Sequence, residues 1–312
     1  MINRRHIRVK VMQSVYAMIQ SHNDDIVKEE KFLKYSIQKM FDLYVLSLHI
    51  LVEVQKLAEQ KIEISKKKYL ATREDLAPNT KFINNRLIKK IAESNSIALH
   101  IEAQKLNNWS NDDEYVKIVW DELQKSDLYR KYLNTIEDSY KVDKSFVIDF
   151  FKDIVAPNEK LAEYFEDTNI TWVDDIPFVN TWVVKTLNKQ NTNGSFLLGA
   201  LYKNKDDEEF VSTLFKKVIL NHHAFEDDIK KYTPNWDSDR IADVDMILIK
   251  MGICEFLHFP SIPTRVTINE FIEIAKDYST QKSSYFVNGV LDKISREYIE
   301  SKRLVKVGRG LL

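Results

Sequence analysis

Four cations crowd the amino end of this chain: Arg4, Arg5, Arg8 and Lys10, with His6 among them. Guanidinium and ammonium groups neutralise phosphates and flat side chains stack on unpaired bases, so this set carries the chemistry that single-stranded RNA binding needs. Arginine-rich segments commonly become ordered on binding. The plainer alternative is a solvated basic terminus. A second set lies near the other end, where Lys282 precedes Phe286 and Asn288, and Lys276 and Lys293 flank the same region. There a ring can stack on a base and an amide can read its edge, while packing of the ring is the competing use.

Catalytic chemistry finds little support. His222 and His223 are adjacent, so both are not expected on one helical face, and no third ligand stands at metal spacing. There is no phosphate-cradling glycine loop, no G-x-S-x-G elbow and no H-E-x-x-H, and 6 Gly leave little room for a nucleotide fingerprint. Neither a catalytic residue, a metal nor a cofactor is expected. Cys254, the single cysteine, sits in an apolar helical stretch, which indicates a packing thiol and a reducing compartment.

The elements that position these residues are expected to be helices. With 6 Gly, 6 Pro, 30% charged and 44% hydrophobic residues, the 312-residue chain lacks the turn formers of an all-β fold. A formal net charge of -1 argues for a local nucleic-acid patch over bulk attraction. The longest apolar runs fall short of the roughly 20 residues that span a bilayer, and Gln13 and Gln20 interrupt any signal-peptide core, so a cytoplasmic protein is expected.

Val9, Met12, Val15, Tyr16 and Ile19 recur at helical spacing, as do Phe32, Tyr35, Ile37, Leu43 and Leu46 in a long second helix. From Ile62 to Ala77 the spacing breaks around Lys66, Lys67 and Lys68, which reads as a solvated loop. Periodicity resumes in several stretches from Phe82 to Val155, with Pro157 as a stop, then from Trp172 to Leu187 before a turn at Asn191, Asn193 and Gly194. Trp109, Trp120, Trp172 and Trp182 read as core or as interface anchors. Phe210 to His222 and, after Trp236 and Asp237, Ile241 to Met251 follow as helices, with Glu226, Asp227 and Asp228 read as charges at a helix start. Gly289 in the last helix is expected to admit a neighbouring helix. The tail with Lys302, Arg303, Lys306 and Arg309 reads as an ordinary solvated terminus or a phosphate-binding one.

The carboxy-terminal third, RIADVDMILIKMGICEFLHFP, then IPTRVTINEFIEIAK, then FVNGVLDKI, resembles the NusB transcription-antitermination family, whose helices carry these pieces in this order. The arginine-rich start followed by Val15, Tyr16 and Ala17 is similar to that family's first helix. The resemblance implies an all-α, NusB-like helical bundle with a large helical insertion: residues 1–25 as arm and first helix, 26–205 as insertion and connecting helices, 206–300 as the carboxy-terminal NusB-like part, and 301–312 as a basic tail.

It further implies RNA contacts through Arg4, Arg5, Arg8, Lys10, Tyr16, Lys282, Phe286 and Asn288, and partner contacts through Asp243 and Asp245. The implied partners are the boxA RNA of nascent ribosomal-RNA transcripts, the small-subunit ribosomal protein NusE and the RNA polymerase antitermination complex, with no membrane and no enzymatic activity. Two alternatives remain at this stage. One is a helical protein-interaction scaffold on a NusB-like frame. The other is a domain related to ribosomal-RNA methyltransferases, which needs a catalytic domain downstream of FVNGVLDKI.

Overall fold

The computed structural model of the chain describes residues 1–232 and 241–311. Every regular element among them is helical, as the scarcity of turn formers requires. The chain divides into two compact units, Met1–Ile37 with Leu201–Leu312, and Gln38–Ala200.

The first unit opens with α1 (Arg4–Gln20), capped by the Asn3 side chain, which accepts from the His6 amide at 2.8 Å. Ile7, Val11, Val15 and Met18 line its buried face. The 41-residue α2 (Ile26–Lys66) contributes its first turns here and the rest to the second unit.

In the second unit α2 is followed by α3 (Arg73–Leu76), α4 (Arg86–Ala92), α5 (Asn95–Gln104), α6 (Asn108–Asn111), α7 (Asp113–Lys125), α8 (Asp127–Asn134), α9 (Tyr140–Phe150), α10 (Glu159–Thr168) and α11 (Ile176–Lys189). The break in apolar spacing at Ile62 marks an exposed end of α2 and not a loop: the helix runs on to Lys66, and Ile64 is 66% exposed. Beyond it a Thr72–Asp75 capping box starts α3. Aromatic rings fill this unit's core, with Tyr44 and Trp182 stacked at 4.1 Å and Phe82 set among Trp120, Tyr129, Phe146 and Phe150. Trp109, Trp120, Trp172 and Trp182 are all buried, so their rings serve packing.

Back in the first unit come α12 (Lys205–Tyr232), α13 (Asp243–His258), α14 (Thr264–Tyr278) and α15 (Ser283–Glu300). Because α12 is continuous to Tyr232, Glu226, Asp227 and Asp228 lie inside it and do not start a helix. Trp236, Asp237 and Arg240 lie outside the described residues. α13 is buried around its whole circumference from Ile247 to Phe256, packed by α1, α12, α14 and α15, which is why its sequence is apolar without a polar face. The glycine that admits a helix is Gly252: an added Cβ there would stand 2.6 Å from Leu291 Cδ2 of α15. At Gly289 an added Cβ would meet nothing within 4 Å, so that residue permits no helix contact.

The tail is docked and not free. Arg303 donates to Asp228 at 3.0 Å and lies 4.2 Å from the Tyr298 ring centroid. Lys306 Nζ donates to the carbonyl of Phe259 at 3.1 Å, capping the end of α13, and burial lowers its pKa to about 8. A Cβ on Gly310 would collide with the Pro260 carbonyl, so the chain passes directly against the α13–α14 connection. The Arg309 side chain lies outside what the structure describes.

Candidate nucleic-acid interface

The four cations of the amino end have different fates. Arg8 is buried and grips Glu255 through two hydrogen bonds of 2.8 Å, with Glu255 also accepting from Thr267 Oγ1 at 2.6 Å. Its guanidinium carbon lies 5.4 Å from the Phe210 ring centroid and 5.9 Å from that of Phe271. Lys10 is buried too.

Arg4 and Arg5 stay partly open. Arg4 Nε donates to Asp207 Oδ1 at 2.7 Å and its guanidinium lies 5.0 Å from the Phe210 centroid. Arg5 forks onto Glu270, 3.0 Å to each oxygen, and that carboxylate raises the guanidinium pKa. Their side chains remain 36% and 42% exposed and edge a cavity of about 850 Å³ that Lys203, Asn204, Pro263 and Glu270 also line. His6, between them and Lys10, is held neutral: burial first, then Lys10 and Arg5, lower its pKa to about 4.

At the start of α15, Ser283 closes the preceding turn through Thr280 and Ser279, which fixes the helix entry. Val287, Val290, Leu291 and Ile294 face inward. Lys282 and Asn288 are exposed, and Phe286 is half-buried. Tyr285, 80% exposed beside them, escaped the sequence reading. The signal was there, because the register set by Val287, Val290 and Leu291 turns position 285 outward. Lys276 pairs with Glu273 and Lys293 lies over the Tyr232 ring, and both remain exposed.

On α1, Tyr16 is 40% exposed. Exposed Asp243 accepts from Gln20 Nε2 at 2.6 Å, tying the end of α1 to the start of α13. Asp245 is buried at 5% exposure, and its Oδ1 has no hydrogen-bond partner among the described residues.

His222 and His223 come together despite their adjacency, rings 3.8 Å apart, with donor atoms of both and of Glu226 within 4.8 Å of one another. Yet both Glu226 oxygens already hold ammonium groups, Lys250 at 3.3 Å and Lys230 at 3.4 Å. A dication about 5 Å from a single ammonium meets roughly 7 kcal/mol of repulsion at an effective dielectric constant of about 20. On that ground we assign no metal here.

These features define an all-helical protein whose first unit carries exposed or half-exposed cations and rings on the arm and at the start of α15. A model of the NusB family matches residues 179–296. The transcription antitermination protein NusB of Salinibacter ruber is 40% identical over 104 residues, 33% of this chain and 65% of that protein. The protein of the same name from Chloroherpeton thalassium is 42% identical over 105 residues, 34% of this chain and 50% of that one. That of Natranaerobius thermophilus is 36% identical over 94 residues, 30% of this chain and 68% of that one. The chain thus spans half to two thirds of the length of these curated relatives. No solved structure matches it. The chain belongs to the NusB family of transcription antitermination proteins. Among the described residues no helix is long and apolar enough to cross a membrane.

Proposed function

We propose that this protein binds the boxA element of nascent ribosomal-RNA transcripts together with NusE, as part of the RNA polymerase antitermination complex in the cytoplasm, and that it works by assembly without catalysis. The observation that carries this reading is the open start of α15. Lys282, Tyr285 and Asn288 are exposed there beside half-buried Phe286, a cation, two rings and an amide in less than two helical turns.

Arg4 and Arg5 supply phosphate contacts from the cavity edge, sharing their charge with Asp207 and Glu270. Arg8 and Lys10, being buried, support the surface from beneath. Tyr16, 40% exposed on α1, is assigned to RNA, and Asp243 and Asp245 at the start of α13 to NusE, exposed Asp243 as the direct contact and buried Asp245 beneath it. In this reading residues 206–300 form the carboxy-terminal NusB-like part, completed by the arm and first helix of 1–25; residues 26–205 are insertion and connecting helices, and 301–312 the basic tail.

Fluorescence anisotropy tests the proposal, with a boxA RNA and a scrambled RNA titrated by the protein alone and with NusE. Preference for boxA that NusE strengthens is expected. Equal binding of both RNAs under both conditions refutes it.

A further inference from the structure

The first turns of α2 carry a face that nothing above uses. Lys28, Lys31, Phe32 and Tyr35 stand at i, i+3, i+4 and i+7, one stripe of a helix. All four are exposed, Phe32 at 46% and Tyr35 at 48%, and the two rings are inclined at 29° with centroids 6.2 Å apart. The opposite face holds the packing: Leu33 and Ile37 are buried, and Glu30 is engaged by Lys216 at 2.9 Å and Lys34 at 2.9 Å.

This face is costly to the fold in two ways. Two aromatic rings remain half in water. Lys28 has Asp24 and Asp25 at four and three residues, but Lys31 has Val27, Lys28, Lys34 and Tyr35, with no acid among them, and like charges at such spacing repel. Among the described residues neither Lys28 nor Lys31 has a carboxylate within ion-pair distance, and Glu29 accepts from the Asn23 amide at 3.0 Å. A polyanion that also offers flat apolar faces offsets both costs at once, and single-stranded nucleic acid is that ligand.

We propose that Lys28, Lys31, Phe32 and Tyr35 form a second RNA-binding face, on which unpaired nucleotides flanking the boxA element stack on the two rings while the two lysines hold their phosphates. This rests on the reading of the protein as a boxA binder. It adds a surface on a different helix from those that carry the arm and the α15 site.

The test uses the full chain and three labelled RNAs: the boxA element alone, the element with unpaired flanks, and the flanks alone. The wild type is expected to bind the flanked RNA more tightly than the element. Phe32→Ala with Tyr35→Ala should weaken binding of the flanked RNA about tenfold and leave the element alone unchanged. Lys28→Gln with Lys31→Gln should lower the salt slope for the flanked RNA by about one to two.

Leu at positions 32 and 35 keeps apolar volume and removes the rings, so it should weaken RNA binding as Ala does while melting like the wild type. Flanks that add nothing to wild-type affinity, or variants that bind the flanked RNA as the wild type does, overturn the proposal. Variants that keep RNA affinity but lose NusE make this a protein surface, which also overturns it. If boxA alone is not bound while the flanks are bound and lost in the variants, the α2 face stands and the boxA reading falls.

Discussion

Arg8 and Glu255, 247 residues apart, meet in a two-point hydrogen-bonded pair of 2.8 Å with side chains 2% and 0% exposed. The pair bolts α1 to α13, so a residue whose type points to phosphate binding holds the helix that carries the other arginines. Thr267 Oγ1 adds a third helix by donating to the same carboxylate.

Removing one partner of this pair strands a buried charge. Arg8→Ala or Glu255→Ala should each destabilise the protein by about 3 to 5 kcal/mol, read from urea unfolding of the first unit's signal. A loss below about 1 kcal/mol would show that the pair is not the bolt described.

Arg5 behaves differently because its ion pair with Glu270 is open to water. Arg5→Ala should change stability by less than about 1 kcal/mol while lowering RNA affinity and reducing its salt slope by about one. Unchanged affinity and slope would make the arm a bystander.

Two glycines should respond in opposite directions. At Gly252 an added methyl collides with Leu291, so Gly252→Ala should destabilise by about 1 to 3 kcal/mol. At Gly289 the space is open and the position is helical, so Gly289→Ala should stabilise by up to about 1 kcal/mol. Thermal melts of both variants check the pair.

His6 sets a pH dependence. Its folded-state pKa, about 4, lies below the ordinary 6.5, so the unfolded chain takes up the proton more readily. The stabilising contribution of the neutral ring is therefore present above about pH 6.5 and is lost as pH falls from there towards 4. His49, His222 and His258, also lowered by burial, act in the same direction. His6→Gln should flatten the melting temperature between pH 7 and 4 relative to the wild type; parallel curves would reject the assignment.

Sequence legibility followed the range of the physics. Helical spacing identified most of the longer elements, though not the end of α2, the short α3 or the continuity of α12, and the resemblance located α1 and α13 to α15, because both are local patterns. Arg8 was legible in part, since with Met12, Val15 and Ile19 it stands at i, i+4, i+7 and i+11 and therefore on the apolar stripe. Its partner was not, because no local spacing encodes a contact with Glu255. Phe32 and Tyr35 were read with Ile37 as one apolar series, yet the buried face runs through Leu33 and Ile37 and leaves the rings outside. Two overlapping stripes on one helix look like one when hydrophobicity alone is counted. The docking of the tail was hidden for a related reason, since Lys306 caps α13 through carbonyl oxygens that no side-chain pattern records.

Photocrosslinking of a thiouridine-substituted boxA RNA to the full chain, in the presence of NusE and mapped by mass spectrometry, tests the central claim most directly. Crosslinks are expected at the start of α15, on Tyr285 or Phe286 and their neighbours, with a second set in the arm at Arg4 or Arg5. Crosslinks confined to residues 38–200, or none above those of a scrambled RNA, would contradict the account.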